Sequence, residues 1–209
     1  MKLQKLIIIA LSTAISFTAV ADEAKKNDAD TSGRWNYEGS LELVNLDSEQ
    51  AAQEFVKDSA TAIGVYVSYV EQDWVTTLRG SFIIYSDLNK FSQVVETSGG
   101  FNNGDIDTAS SDANAFSLGV ATGRQWRLGE TEDTRLMLQA GYDHVLASER
   151  AIASCSNCYS EDIEIDGGIF VQGALKHNFG VVSAGFIVSQ YVTGDGLSNR
   201  IGITIGSKF

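Results

Sequence analysis

Eight times along this chain, apolar and polar residues alternate with a period of two. The clearest case is 201–209, where Ile201, Ile203, Ile205 and Phe209 fall on one face and Gly202, Thr204, Gly206 and Lys208 on the other. A period of two is the mark of a strand with one apolar face. The earlier segments are Trp35–Leu43, Ala62–Val70, Trp74–Ile84, Asn114–Trp126, Leu136–Leu146, Ile165–Leu175 and Val182–Gln190. Each runs about nine to thirteen residues, close to what a tilted strand needs to cross a bilayer. The chain has 20 glycines and no proline, which suits many paired strands, since proline would interrupt a hydrogen-bond ladder.

The connections add direction. The links 71–73, 129–133 and 177–180 are short, whereas 45–61, 86–113, 147–164 and 193–199 are longer. Short and long alternate, so with both chain ends in the periplasm every short link falls on the periplasmic side. That is the asymmetry of outer-membrane barrels. A soluble eight-stranded barrel of lipocalin type is the alternative fold, with the apolar face lining a cavity. Here one face is Gly, Ser, Thr and Ala mixed with charge, which suits a crowded polar interior. Trp35, Tyr37, Trp74 and Trp126 lie near the short-link end, as an interfacial aromatic girdle requires.

The first residues give the compartment. Lys2 and Lys5 precede an apolar run from Leu6 to Val20, and 19–21 reads Ala-Val-Ala, the layout of a cleavable signal peptide. An uncleaved helical anchor is the other reading, but the run is short for a span. We therefore expect a signal peptide over 1–21, a flexible periplasmic leader over 22–33 and a barrel over 34–209. The formal charge of -12 falls to about -14 once Lys2 and Lys5 are removed, which disfavours nucleic acid as a partner.

The terminal strand, ending on aromatic Phe209 after Ile201, Ile203 and Ile205, resembles the closing strand of bacterial outer-membrane barrels. Together with the eight segments, the chain resembles the small OmpA- and OmpX-like barrels. The resemblance implies an all-β, eight-stranded antiparallel transmembrane up-and-down barrel in the cell outer membrane. It also implies recognition of the closing strand by the barrel-assembly machinery, and contact with outer-membrane lipid and lipopolysaccharide.

Alternation sends Glu38, Glu42, Arg79, Gln139, Asp143, Asp166, Gln172, Lys176, Arg200 and Lys208 inward. Such charges must pair or stay hydrated. Glu42 and Arg200 are expected to meet across the first and last strands, and Arg79 to face Glu38 in mid-barrel. An eight-stranded barrel is just wide enough for its own side chains. The interior reads as a polar plug, or, alternatively, as the lining of a narrow channel for ions or small solutes.

Cys155 and Cys158 stand in a long link as Cys-x-x-Cys. In an exported loop an intraloop disulfide is expected; metal or redox chemistry is the other reading. No cofactor motif, phosphate loop or triad is present. The lipid A deacylases, small barrel enzymes with a His-x-Ser arrangement, resemble the chain in size, but two residues after His144 stands Leu146, not serine, and Ser148 is four away. The long links carry Glu49, Glu54, Asp58, Glu96, Asp105, Asp107, Asp112, Glu149, Glu161, Asp162 and Glu164. They read as a solvated acidic surface, with binding of divalent cations or an extracellular ligand as the functional reading. The chain is thus expected to be a non-enzymatic surface protein acting through acidic outer loops.

Overall fold

The computed structural model describes residues 33–96, 106–152 and 158–207. The expected signal peptide, nearly all of the expected leader, Asp105, Cys155, Lys208 and Phe209 lie outside the described residues. Among these residues eleven strands and one short helix appear in chain order: β1 (Arg34–Leu46), α1 (Ser48–Gln53), β2 (Val56–Glu71), β3 (Trp74–Asp87), β4 (Ser92–Glu96), β5 (Ile106–Ser110), β6 (Asp112–Leu128), β7 (Thr134–Ala151), β8 (Ser160–Asp162), β9 (Gly168–Phe179), β10 (Val182–Tyr191) and β11 (Leu197–Ser207). Among the described residues, strand β8 pairs only with the outer end of β7, and β4 only with β5. The remaining eight strands form the wall, and all eight correspond to the alternating sequence segments.

The wall is antiparallel throughout and closes on itself. Neighbours follow chain order, and β1 pairs with β11 to complete the ring. Closure removes the open sheet edges that lipid cannot solvate. Short turns at one end use left-handed residues: Gln72 between β2 and β3, Gly129 and Glu132 between β6 and β7, and Gly180 between β9 and β10. The opposite end carries α1, the β4–β5 hairpin, β8 and the 192–196 turn.

Burial inverts the arrangement of a soluble protein. Trp35, Tyr37, Leu41, Leu43, Ile63, Val65, Trp74, Leu78, Phe82, Ile203 and Ile205 point outward and are exposed, whereas Glu38, Glu42, Arg79, Gln139, Asp143 and Arg200 are buried inside. Along β3 this apolar exterior runs from Trp74 to Ile84, roughly 25 Å for a strand tilted about 40°, the height of a lipid-facing band.

Toward the loop end the strands run further than alternation indicates. β2 begins at Val56 rather than Ala62, and β7 continues to Ala151 rather than Leu146. The reason is a second interior of different chemistry. Val44, Leu46, Ala60, Ile83, Tyr85, Ala113, Ala115 and Val145 turn inward there and pack with Ala51 of α1 and with Ile163, Ile165 and Leu197. Irregularities at Val56/Ala60, Asn45/Leu46 and Phe116/Ser117 lie at or near this level. Such bulges re-aim side chains and break the simple period.

Candidate functional site

Two constellations stand out: a charged network inside the membrane band, and a platform of outer connections above it. At the centre of the first is Arg79 of β3, which is 2% exposed. Its Nε donates to Asp143 Oδ1 at 2.7 Å and its Nη2 to Asp143 Oδ2, a two-pronged pairing. Nη2 also donates to the Tyr191 hydroxyl at 2.6 Å, and that hydroxyl donates to Asp143. The guanidinium lies 4.0 Å from the centroid of the Phe170 ring. A planar cation is well suited to a fork on one edge and a ring on its face.

A second guanidinium joins the first through the same carboxylate. Arg200 lies 3.5 Å from Asp143 Oδ2 and 3.7 Å from Glu42 Oε2, and donates to the hydroxyls of Ser81 and Ser117, each at 3.2 Å. Glu42 in turn accepts from Ser40 at 2.6 Å and from Tyr66 at 3.0 Å. Two guanidiniums and two carboxylates make the cluster neutral. Gln172 and Gln139 continue it: Gln172 donates to Gln139 Oε1 at 3.1 Å, and Gln139 to Thr77 Oγ1 at 3.0 Å. The network therefore reaches around the lumen rather than lining one side of it.

The structure separates Arg79 from its expected partner. Glu38 instead accepts from Lys176 Nζ at 2.5 Å. Arg79 reaches Asp143 because the residue between them in the wall is Gly119, which registers against both. A Cβ at Gly119 would overlap Asp143 Oδ1 and crowd Arg79 Nε. The missing side chain is the opening through which the pair forms.

Asp166 is also placed elsewhere. It is exposed and precedes β9, bridging to Gly196, while Ile163 and Ile165 are the buried residues of that stretch. Gly167 and Gly168, pressed against the backbones of Asp143 and Thr193, reset the alternation at the start of β9. Extrapolating the inward face of β9 backward therefore fails at this pair.

The outer platform is organised by Arg150, which alternation places in the long connection 147–164. Its side chain is 1% exposed and spans three connections. Nε donates to Asp87 Oδ1 at 2.9 Å, Nη2 to the Glu54 carbonyl at 2.8 Å, and Nη1 lies 3.4 Å from Glu161 Oε2. The only cue in the sequence was an arginine amid an acidic stretch. Phe55, next to Glu54, adopts φ 53 and is 55% exposed. It follows the C-cap of α1, where glycine is the usual left-handed residue, so a phenylalanine there stores about 1–2 kcal/mol of backbone strain.

Other candidate residues fall outside both constellations. His144 faces outward on β7, and Ser148 Oγ donates to the Tyr85 hydroxyl at 3.4 Å, so the two are not partners. Cys158 is the first described residue after 153–157, and Cys155 lies in that gap. Among the described residues no group of three or more metal-ligating side chains converges.

A contiguous band of exposed Leu, Ile, Val, Phe and Trp around a closed wall is incompatible with water on that face. The molecule is a small outer-membrane-type β-barrel. No family model matches the sequence, and no curated protein does. Among solved structures it is similar to Ail, the attachment invasion locus protein of Yersinia pestis. In complex with the heparin analogue sucrose octasulfate, Ail matches at 12% identity and a TM-score of 0.47, over 85% of this chain and 99% of that one. A second structure of Ail gives 13% identity and a TM-score of 0.45, over 84% of this chain and 97% of that one. Neisserial surface protein A gives 8% identity and a TM-score of 0.48, over 85% and 99% of the two chains.

Proposed function

We propose that this barrel is a non-enzymatic protein of the cell outer membrane whose lumen is a structural plug and whose acidic outer connections meet a partner outside the cell. The observation that carries the reading is the stacking of two fillings inside one wall. The neutral Arg79–Asp143–Arg200–Glu42 network crosses the lumen, and an apolar cluster lies above it. A conducting path would have to break buried ion pairs in a low-dielectric interior, where removing either partner is costly. What is left free to act is the outer surface.

That surface is acidic. Asp47, Glu49, Asp58, Asp112, Glu149, Asp162, Glu164 and Asp195 are exposed there, against the exposed lysines Lys57 and Lys90. A polyanion such as the heparin analogue bound by Ail suits such a surface poorly, whereas a basic partner suits it well. Export by residues 1–21, a Cys155–Cys158 disulfide at a loop tip, recognition of Ile201, Ile203, Ile205 and Phe209 by the assembly machinery, and contact with lipopolysaccharide complete the reading. Planar-bilayer recording of the refolded mature protein tests it. Heat-modifiable, inserted protein with no unitary conductance is the expected result. Stable ion-selective steps that change in Arg79→Ala would overturn the plug and make the protein a narrow channel.

A further inference from the structure

The oddest residue on the outer platform is Phe55. Its backbone is left-handed at a position where glycine is the ordinary choice, yet its ring stands in solvent, 55% exposed. An exposed aromatic gains little from burial to offset that strain, so the fold gives it no evident reason to be there. The platform nevertheless holds it firmly. Its carbonyl accepts from the Leu88 N–H at 2.9 Å and lies 3.5 Å from Arg150 Nη2. Leu88, tied to Phe55 by that backbone bond, is itself 63% exposed. A buried arginine and a strained backbone thus present two large apolar side chains at the end of the barrel that carries the long connections.

The surroundings identify what could cover them. Glu54 precedes Phe55, exposed Lys57 and Asp58 follow it, and Glu161 is held beside the same Arg150, so the carboxylates outnumber the one lysine beside the ring. Lys90 is already paired with Asp112 at 3.1 Å. An apolar contact set among carboxylates repels the phosphates of lipid headgroups and attracts cationic groups attached to an apolar body. Interfaces concentrate their binding energy in such an anchor, rimmed by polar contacts.

We propose that Phe55 and Leu88 form the apolar anchor of a docking site for a basic, partly apolar polypeptide outside the cell. The proposal rests on the surface-contact reading given above and names its partner class. The test uses the full mature barrel in zwitterionic nanodiscs. The probes are a synthetic amphipathic peptide of leucine and lysine and a control in which serine replaces leucine, with empty nanodiscs as background.

The barrel should retain the leucine–lysine peptide above background. Phe55→Gly and Leu88→Ser should each weaken binding by about tenfold, and the serine–lysine peptide should bind weakly to all three proteins. Glycine adopts the left-handed backbone freely, so Phe55→Gly should fold with unchanged or higher heat resistance. Equal binding of both peptides, unchanged affinity in the two variants, or a loss of heat resistance in Phe55→Gly would each overturn the anchor. Retained binding with no dependence on Phe55 or Leu88 would sink the anchor alone. Ion-selective conductance would sink the underlying reading.

Discussion

The interior of the membrane band and the interior just above it are built on the same strands and are chemical opposites. Within the band the wall is apolar outside and charged inside, with Arg79, Arg200, Glu42 and Asp143 fully enclosed. Above it Ile83, Val145, Ile163 and Ile165 fill the inside, while residues such as Lys57, Asp58 and Glu149 face out. One strand, β3, contributes Arg79 to the lower tier and Ile83 to the upper, four residues apart on the same face. The difference teaches that one alternating wall can hold two fillings. At mid-barrel, where lipid takes the outward apolar side chains, the interior is dominated by paired polar groups, and an apolar cluster that includes Val70, Val75, Met137 and Ile187 shares that interior. Toward the long connections the interior becomes a hydrophobic core.

The contrast can be broken tier by tier. The largest effect is expected from Arg79→Ala, which leaves Asp143 buried beside a single, more distant cation. A loss of about 3–5 kcal/mol is expected, read as a lower urea midpoint in lipid vesicles. Gly119→Val should mimic much of that loss without touching a charge, because its side chain would occupy the space Asp143 crosses. In the upper tier Ile165→Ala should cost about 2–4 kcal/mol, felt as faster proteolysis of the outer connections while the gel shift of the membrane band persists. The smallest change belongs to the exposed Lys90–Asp112 pair: Lys90→Ala should move stability by less than about 1 kcal/mol, and the small difference should vanish in high salt. If Ile165→Ala melted the whole barrel as Arg79→Ala does, the two tiers would be one cooperative unit and the comparison would lose its meaning.

Much of the lower tier was legible in the sequence because alternation carries both the strand and the face. Glu42 and Arg200 could be matched in advance, since closure sets the first strand beside the last and places Val44 opposite Arg200. The partner of Arg79 could not, because it depends on a gap at Gly119 on β6, in the middle of the wall and far from the seam between the first and last strands. Phe170, buried against Arg79, was likewise hidden among apolar neighbours that alternation sends outward. The upper tier was nearly illegible. Lys57, Asp58 and Ser59 interrupt the period of β2, and Ile163 and Ile165 lie before the glycine pair that resets the face of β9. Arg150 gathers backbone carbonyls and acids from three connections, a role that no local pattern encodes.

The most direct test of this account is a spin-label accessibility scan along β3 in lipid vesicles, from residue 76 to residue 86, using oxygen and a water-soluble nickel complex as collision partners. The account predicts that labels at the outward positions 76, 78, 80, 82 and 84 meet oxygen, that the label at 86 meets nickel, and that the inward positions 77, 79, 81, 83 and 85 meet neither. Nickel at the inward positions would mean a water-filled lumen, and nickel at the outward positions 76, 78, 80, 82 and 84 would mean a barrel that never enters the membrane; either result would contradict it.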